Sequence, residues 1–250
     1  MSPQNEFMNK DVLGIALRDH YKGKTSDQLI TYMKLNCYDE WIEDELPLQY
    51  LFREYSDMPF IEQRALDLCR GKVLDVGCGA GSHALYLQNT EADVTGLDQS
   101  RGAIAVCRLR GLQNRALIPL NDYRGTKFDT LLLLMNGIGL AGRMEQLDQF
   151  FQKLKTLLAP GGQVLIDSSD IIYMYEEDED GGFLVPDNDI YYGEVIFKME
   201  YKGQESAPFY WLYLDFKSLQ RTAGANGFSC ELVSYGEHYD YLARLSLEKE

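Results

Sequence analysis

Residues 73–82 constrain this chain more than any other stretch, because a buried strand there runs into closely spaced glycines. Residues 73–76 are apolar apart from Asp75, which is typical of a short strand. The glycines occupy alternate positions, Gly77, Gly79 and Gly81. Without a Cβ their backbone can turn tightly or approach a ligand, and Ser82 can cap a following helix. These features predict a nucleotide-like cofactor site at a helix N-terminus.

An acidic residue follows the loop at the distance expected of a ribose-binding carboxylate. Residues 93–98 form a predicted second strand that ends in Asp98. In doubly wound folds, a carboxylate about 20 residues after the glycine loop accepts hydrogen bonds from ribose hydroxyl groups. We therefore expect Asp98 and its neighbour Gln99 to bind the cofactor.

The loop and Asp98 resemble motif I and the strand-two acidic residue of the class I S-adenosylmethionine-dependent methyltransferases. The family pattern is acidic-x-Gly-x-Gly-x-Gly, which residues 75–81 match. The resemblance implies an α/β fold with a doubly wound, mostly parallel seven-stranded sheet of the Rossmann-like kind. It also implies S-adenosyl-L-methionine as the cofactor, bound by Asp75, Gly77, Cys78, Gly79 and Gly81.

A dinucleotide-binding fingerprint, Gly-x-Gly-x-x-Gly/Ala, is the competing interpretation of the same loop. Counted from Gly77 it fails, because Ser82 stands in the third glycine position. Counted from Gly79 it nearly fits, with Ala84 in the last position. An NAD(P)-linked oxidoreductase therefore remains an alternative. A non-catalytic relative that binds S-adenosylmethionine or S-adenosylhomocysteine is another.

The charge and composition of the chain limit the classes of molecule that it is expected to bind. The 250 residues carry a formal net charge of −15, which argues against nucleic acid and against an anionic membrane surface, and favours a small-molecule acceptor. No apolar run approaches the roughly 18 residues of a membrane-spanning helix, and the N-terminus lacks a secretory signal, so we expect a cytoplasmic protein. The five cysteines contain no Cys-x-x-Cys pair, so we predict no metal site and no disulfide framework.

The N-terminal segment, residues 1–54, is predicted to be a helical cap on a methyltransferase domain at 55–250. Helices are expected over 11–21, 26–36 and 39–45, where apolar residues recur at helical spacing. The segment is rich in aromatic residues. In relatives that carry such a cap, it covers the cofactor and shapes the substrate pocket.

Two later strand ends extend the resemblance. Asp122, after a third strand at 116–122, matches the acid that accepts a hydrogen bond from the adenine amino group, and Tyr123 is placed to flank the ring. The nearly continuous apolar run at 128–136 indicates a fourth strand buried on both faces, which ends in Asn136. Backbone carbonyls there would hold the methionine amino group, and Asn136 would touch the acceptor.

The C-terminal part contains an insert at about 170–215. Its acidic loop, 176–189, is expected to be solvated, with a lid over the acceptor as the alternative. Strand-like runs at 192–201 and 209–215 predict an antiparallel pair. A helix at 216–225 and strands at 228–235 and 239–247 predict the reversed closing hairpin of the family.

The resemblance names no general catalytic residue. A sulfonium methyl group is already electrophilic, so the protein needs chiefly to hold the acceptor in line for displacement. A base is required only for an acceptor that carries a proton at neutral pH. Candidates by position are Asn136, His83 and Tyr21, although a surface or capping role explains His83 more simply.

Overall fold

The computed structural model describes residues 11–24, 26–35, 38–185 and 189–247. The expectations that concern the N-terminal ten residues, the cysteine Cys37 and residues 186–188 of the acidic loop lie outside these ranges. Within them, the helices are α1 (Val12–Tyr21), α2 (Phe60–Leu68), α3 (Ser82–Asn89), α4 (Arg101–Leu109), α5 (Leu147–Leu157) and α6 (Phe216–Ala225). The strands are β1 (Leu29–Leu35), β2 (Ile42–Leu46), β3 (Lys72–Val76), β4 (Asp93–Asp98), β5 (Asn114–Leu117), β6 (Phe128–Leu133), β7 (Leu158–Ser169), β8 (Glu194–Tyr201), β9 (Gln204–Glu205), β10 (Phe209–Leu212), β11 (Phe228–Tyr235) and β12 (Asp240–Leu247).

A seven-stranded sheet in the order β11-β12-β7-β6-β3-β4-β5 forms the centre of the described chain. Strands β3 to β7 are parallel to one another, and β12 lies antiparallel between β7 and β11. This arrangement confirms the predicted fold class, including the reversed closing hairpin. The chain runs outward from β3 through β4 to β5 and then returns to β6, so the strand order reverses between β3 and β6. Ligands of open α/β sheets bind beyond the carboxyl ends of strands at such a point.

Alternate side chains of the central strands enter two different hydrophobic cores. Leu131 and Leu133 of β6 pack into the core under α5 and α6, whereas Leu132 packs into the core under α2 and α3. All three are fully buried. A strand covered on both faces has no polar side to present, which explains the continuous apolar run in the sequence.

The N-terminal segment differs from its prediction. Helix α1 is confirmed, but the segments predicted as helices at 26–36 and 39–45 contain strands β1 and β2. Strand β1 pairs antiparallel with β8, where Ile30 lies opposite Glu200. The run Ile30, Thr31 and Tyr32 consists of β-branched and aromatic residues, which pack well on a pleated surface. Pairing with a strand distant in the chain therefore outweighed the helical spacing.

A second sheet combines the N-terminal segment with the insert, in the order β10-β8-β1-β2, and short β9 pairs with β8. The predicted antiparallel pair of the insert is confirmed by β8 and β10, where Phe197 lies opposite Phe209. The N-terminal cover is thus a helix plus two strands that continue the sheet of the insert. The domain division at residue 54 and the lid role of the acidic loop stay predictions.

The start of α3 differs from its prediction, whereas a serine does cap α4. Ser100 caps α4, because its Oγ accepts the N–H of Ala103 at 2.9 Å. The cap of α3 is Gly81 rather than Ser82, since Gly81 takes the left-handed conformation at φ 85° and Ser82 is already helical. The Ser82 hydroxyl instead donates to the carbonyl of Leu51 at 2.9 Å.

Candidate functional site

The loop between β3 and α3 has the left-handed backbone that its glycines allow. The φ angles of Gly77, Gly79 and Gly81 are 74°, 52° and 85°. The N–H groups of Gly77 and Cys78 donate to the carbonyl of Leu97 at 2.8 and 3.0 Å, which ties the loop to β4. A Cβ added to Gly79 would meet no atom within 4 Å, so the loop presents bare backbone to open space.

Asp98 lies at the end of β4, directly beside this loop. Its Oδ2 accepts the N–H of Gly79 at 2.9 Å, and its Oδ1 accepts the N–H of Ser100 at 2.7 Å. Burial raises the pKa of Asp98, while these backbone donors act in the opposite direction. A carboxylate oxygen has two lone-pair sites, so each oxygen keeps one for a further donor. The carboxylate is therefore fixed in orientation and still able to accept two hydroxyl groups.

A cleft of about 2220 Å³ lies between the carboxyl edge of the seven-stranded sheet and the second sheet. Four of the predicted cofactor residues line it, namely Asp98, Gln99, Asp122 and Asn136. The glycine loop adjoins the cleft through the bond from Gly79 to Asp98, although its three glycines are not part of the lining. The site residues predicted to follow the second, third and fourth strands, which are β4, β5 and β6 of the structure, thus line one cavity.

The other predicted residues lie outside the cleft lining. Asp75 is buried at the end of β3, and the Cys78 thiol lies 3.8 Å from the Cys107 sulfur beneath the loop. Tyr123 packs against Phe128, with ring centroids 6.1 Å apart. Tyr21 donates its hydroxyl to the carbonyl of Leu109 at 3.0 Å, at the far end of α1. Of the three catalytic candidates, only Asn136 faces the cleft.

The turn after β6 holds two consecutive non-glycine residues in the left-handed region. Met135 has φ 65° and Asn136 has φ 58°, and both line the cleft. Asp167, at the end of β7, stabilises this turn, since its Oδ2 accepts the N–H of Met135 at 3.0 Å and its Oδ1 that of Gly137 at 2.9 Å. Burial raises the pKa of Asp167 to about 6, against the effect of these donors. The buried Oδ1 of Asn136 has no hydrogen-bond partner, which leaves an acceptor at the cleft.

His83 is part of a buried charged network rather than a surface or capping residue. Its Nε2 lies 2.6 Å from Glu62 Oε2, and the other oxygen of Glu62 accepts a hydrogen bond from Arg53. Burial alone would lower the pKa of His83, but Glu62 and the nearby Asp75 raise it. Burial alone would raise the pKa of Glu62, but His83 and Arg53 lower it. His83 therefore joins α3 to α2 and the segment before it, beneath the cleft wall that contains Glu62 and Tyr50.

Two site residues were missed in the sequence, although one of them carried a signal. Asp167 directly follows the apolar residues 164–166, the same pattern of an acid after an apolar run that identified Asp98. Trp211 lies in the insert, where no motif marks it, and it reaches the cleft only because β10 pairs with β8.

Two absences hold for the described part of the chain. None of its helices combines the length and apolar character needed to cross a bilayer. In the same ranges, no group of three His, Cys, Asp or Glu side chains is arranged to hold a metal ion.

Comparison with known proteins places this site in a family. A family model described as a methyltransferase domain matches residues 73–162. The crystal structure of a SAM-dependent methyltransferase from Bacteroides fragilis, in complex with S-adenosyl-L-homocysteine, is 43% identical to the chain. It superposes with a TM-score of 0.87 over 97% of both chains. The chain belongs to the SAM-dependent methyltransferase family. The predicted family, enzyme class and cofactor, S-adenosyl-L-methionine, are confirmed.

Curated methyltransferases match over shorter stretches. Methyltransferase GfsG of Streptomyces halstedii is 36% identical over 112 residues, which are 40% of this chain and 39% of that protein. A ubiquinone biosynthesis O-methyltransferase of Pectobacterium atrosepticum is 47% identical over 64 residues, 26% of this chain and 25% of that protein. The chain thus spans less than half the length of these relatives.

Proposed function

We propose that this methyltransferase transfers the methyl group of S-adenosylmethionine to a small-molecule acceptor bound in the same cleft. The observation that carries the proposal is the convergence of Asp98, Asp122 and Asn136 on one cavity, which the second sheet bounds on its other side. A cofactor along the strand ends would therefore have its reactive end at Asn136 and open cavity beyond it. The cofactor supplies an electrophilic methyl group, and the protein aligns the acceptor with it.

The residues present fit this cofactor. Asp98 retains two free lone-pair sites for ribose hydroxyl groups, and the bare backbone at Gly79 admits a ligand at van der Waals distance. Asp122 is an exposed residue of the cleft lining, and we assign it to the adenine amino group, as the family resemblance implies. The unpartnered Oδ1 of Asn136 and the half-buried backbone of the turn around it offer acceptors for an ammonium group or for the methyl acceptor itself.

A small acceptor suits both the shape and the charge of the cleft. The cavity is bounded by two sheets, and the net charge of −15 opposes the approach of a phosphate backbone. The name of the ubiquinone biosynthesis O-methyltransferase of Pectobacterium atrosepticum refers to the synthesis of a small molecule. Asn136 is the side chain that we place against the acceptor atom.

Calorimetry on the full chain tests the cofactor half of this proposal. S-adenosylhomocysteine should bind at micromolar concentration, whereas NADH should not. Binding of NADH alone would overturn the proposal in favour of an oxidoreductase. The transfer half is tested with labelled S-adenosylmethionine and a library of small acceptors. Intact cofactor binding without transfer to any acceptor would indicate a non-catalytic relative instead.

A further inference from the structure

The second sheet turns one face toward the cleft, and other parts of the protein cover this face at its ends but less in its middle. Alternate residues of paired strands share a face, so Phe197 and Met199 of β8 lie beside Met33 and Thr31 of β1. Phe209 of β10 lies opposite Phe197, on the same face. We call this the inner face. It is built almost entirely from apolar side chains.

Protein atoms cover the inner face at its two ends. At one end, Leu29 and Tyr201 pack into the cluster around α1. At the other end, Leu35 and Val195 pack with Ile171. These end residues are nearly fully buried. The middle is only half-buried, and its side chains line the cleft: Thr31, Met33, Phe197, Met199, Phe209 and Trp211.

The aromatic rings of the middle form a connected array. Phe197 stacks on Phe209 with centroids 6.1 Å apart, and Phe209 meets Trp211 edge to face at 6.2 Å. The Trp211 indole then rests on Gly139 in the segment after β6, because a Cβ added to Gly139 would lie 2.0 Å from its ring. The array therefore extends from the second sheet to the segment that begins at Asn136, where the methyl acceptor is placed.

The charge of the cleft lining is one-sided. Among the described residues that line it, ten are acidic: Asp11, Glu43, Asp44, Asp57, Glu62, Asp98, Asp122, Asp167, Glu237 and Asp240. Arg101 is the lining residue with a permanent positive charge in that part of the chain. An anionic acceptor would lose hydration in a lining in which acidic side chains outnumber Arg101, whereas a neutral or cationic acceptor would not be repelled.

We propose, on the basis of the methyl transfer inferred above, that the acceptor is a small molecule with a flat aromatic ring and no anionic group. Its ring packs against Phe197, Phe209 and Trp211, and its acceptor atom points toward Asn136. Aromatic rings pair with one another in stacked and edge-to-face geometries, and a Trp face also attracts a cationic group. The face is continuous with the cofactor cleft, which identifies the occupant as the methyl acceptor.

Four probes separate the ring from the charge in calorimetric titrations of the protein saturated with S-adenosylhomocysteine. Phenethyl alcohol and phenethylamine carry a ring without an anionic group. Phenylacetate carries the ring with a negative charge, and ethylamine has no ring. We expect the first two to bind at least about tenfold more tightly than the last two, a difference of about 1.4 kcal/mol.

Trp211→Ala should weaken binding of phenethyl alcohol at least about fivefold, whereas Trp211→Phe should recover most of the loss because it keeps a ring. Both variants should bind S-adenosylhomocysteine with unchanged affinity, which also shows that they are folded. The control is Trp41→Ala, because Trp41 is the other tryptophan of the chain and does not line the cleft. It should leave all four affinities unchanged.

Each contrary result has a distinct meaning. Three results would overturn the inference while leaving the proposed methyl transfer intact. The first is equal binding of phenylacetate and phenethyl alcohol, and the second is that neither phenethyl alcohol nor phenethylamine binds. The third is that Trp211→Ala leaves the binding of phenethyl alcohol unchanged. Failure of the unaltered protein to bind S-adenosylhomocysteine would overturn the proposed function and, with it, this inference.

Discussion

Two carboxylates at the carboxyl edge of the central sheet, Asp98 in β4 and Asp167 in β7, have different roles in the cleft. Asp98 accepts one backbone donor on each oxygen and remains open to a ligand. Asp167 binds the backbone of the turn after β6 and has 5% of its surface exposed. We propose that the first carboxylate binds the cofactor directly, whereas the second holds the backbone of the turn.

Asp98→Ala should weaken the binding of S-adenosylhomocysteine by about 1–3 kcal/mol, because charge-assisted hydrogen bonds to the ribose are lost. Calorimetry measures the change. Asp93→Ala is the matched control, since Asp93 is the exposed first residue of the same strand and should have no effect. An affinity unchanged by Asp98→Ala would show that other groups hold the ribose.

Asp167→Asn should lower methyl transfer, or S-adenosylhomocysteine affinity, by at least about tenfold. The amide places a donor against backbone N–H groups, and the left-handed conformations of Met135 and Asn136 cost roughly 1–2 kcal/mol each without that support. Asp129→Asn is the control, because Asp129 accepts the N–H of Lys72 at 2.8 Å near the opposite end of β6. If both variants lose the same affinity at equal stability, Asp167 has no specific positioning role.

Local chemistry explains which of these residues the sequence revealed. Asp98 was predictable because a glycine loop and a following strand fix its distance from the cofactor. Asp167 carries a similar signal, a carboxylate after an apolar strand, but its task depends on the neighbouring turn. His83 was wrongly interpreted as a surface residue, because its partner Glu62 lies 21 positions earlier in the chain and on a different helix, α2.

Two requirements act on the glycine loop between β3 and α3: its backbone must adopt positive φ angles, and it must leave space for the cofactor. The first demand is shared with Gly23, which follows α1 with φ 74° and also has nothing within 4 Å of an added Cβ. Comparing the two glycines therefore separates backbone strain from loss of space for the cofactor.

Gly79→Ala and Gly23→Ala should each destabilise the fold by about 1 kcal/mol, because a residue with a Cβ is strained at positive φ. Only Gly79→Ala should also weaken S-adenosylhomocysteine binding, by at least about tenfold, since its methyl group enters the space in front of Asp98. Thermal unfolding and calorimetry provide the two measurements. Equal cofactor affinity in both variants would place the ligand away from the loop.

Helices α2 and α3 are joined by the buried pair of Glu62 and His83. The pKa of His83 is raised above its unfolded value of 6.5, so the stability it contributes is full below pH 6.5 and is lost as pH rises through the folded pKa. The pKa of Glu62 is lowered from 4.5, so its contribution is present above pH 4.5 and is lost as pH falls through the folded pKa. The pair is therefore most stabilising between these two limits.

His83→Gln should lower the free energy of unfolding by about 3 kcal/mol near pH 6 and by less near pH 9, because it removes one of the two cationic partners of the buried Glu62 and leaves Arg53 as the other. Urea unfolding at both pH values measures the difference. His238→Gln is the control, as His238 is exposed, and it should change neither value. A loss of stability that is the same at both pH values would show that His83 contributes by packing alone.

On the scale of the whole molecule, the cleft needs two sheets whose strands come from distant parts of the chain. The seven-stranded sheet was predictable, because its strands and helices alternate locally and end in recognisable turns. The second sheet was predictable only in part, since β1 pairs with β8 far along the chain, as in Ile30 opposite Glu200, 170 positions later. Such pairing leaves little trace in local spacing.

The acidic character of the whole molecule leads to a prediction about its two cofactor forms. S-adenosylmethionine carries one more positive charge than S-adenosylhomocysteine, at the sulfonium. The protein carries a formal net charge of −15, and acidic side chains dominate the cleft lining. Salt screens attraction between charges that are not fully buried, with a Debye length of about 10 Å at 0.1 M and about 3 Å at 1 M.

Raising the ionic strength from about 0.05 M to about 0.5 M should therefore weaken S-adenosylmethionine binding several-fold more than S-adenosylhomocysteine binding. Parallel calorimetric titrations at the two salt concentrations measure both affinities, and S-adenosylhomocysteine serves as the matched control because it lacks only the methyl group and the charge. The same field would help to release the product, since the demethylated form is held less strongly. An equal salt dependence of the two affinities would show that the sulfonium lies beyond the reach of the acidic lining, and that contacts at Asp98 and Asn136 alone set the balance.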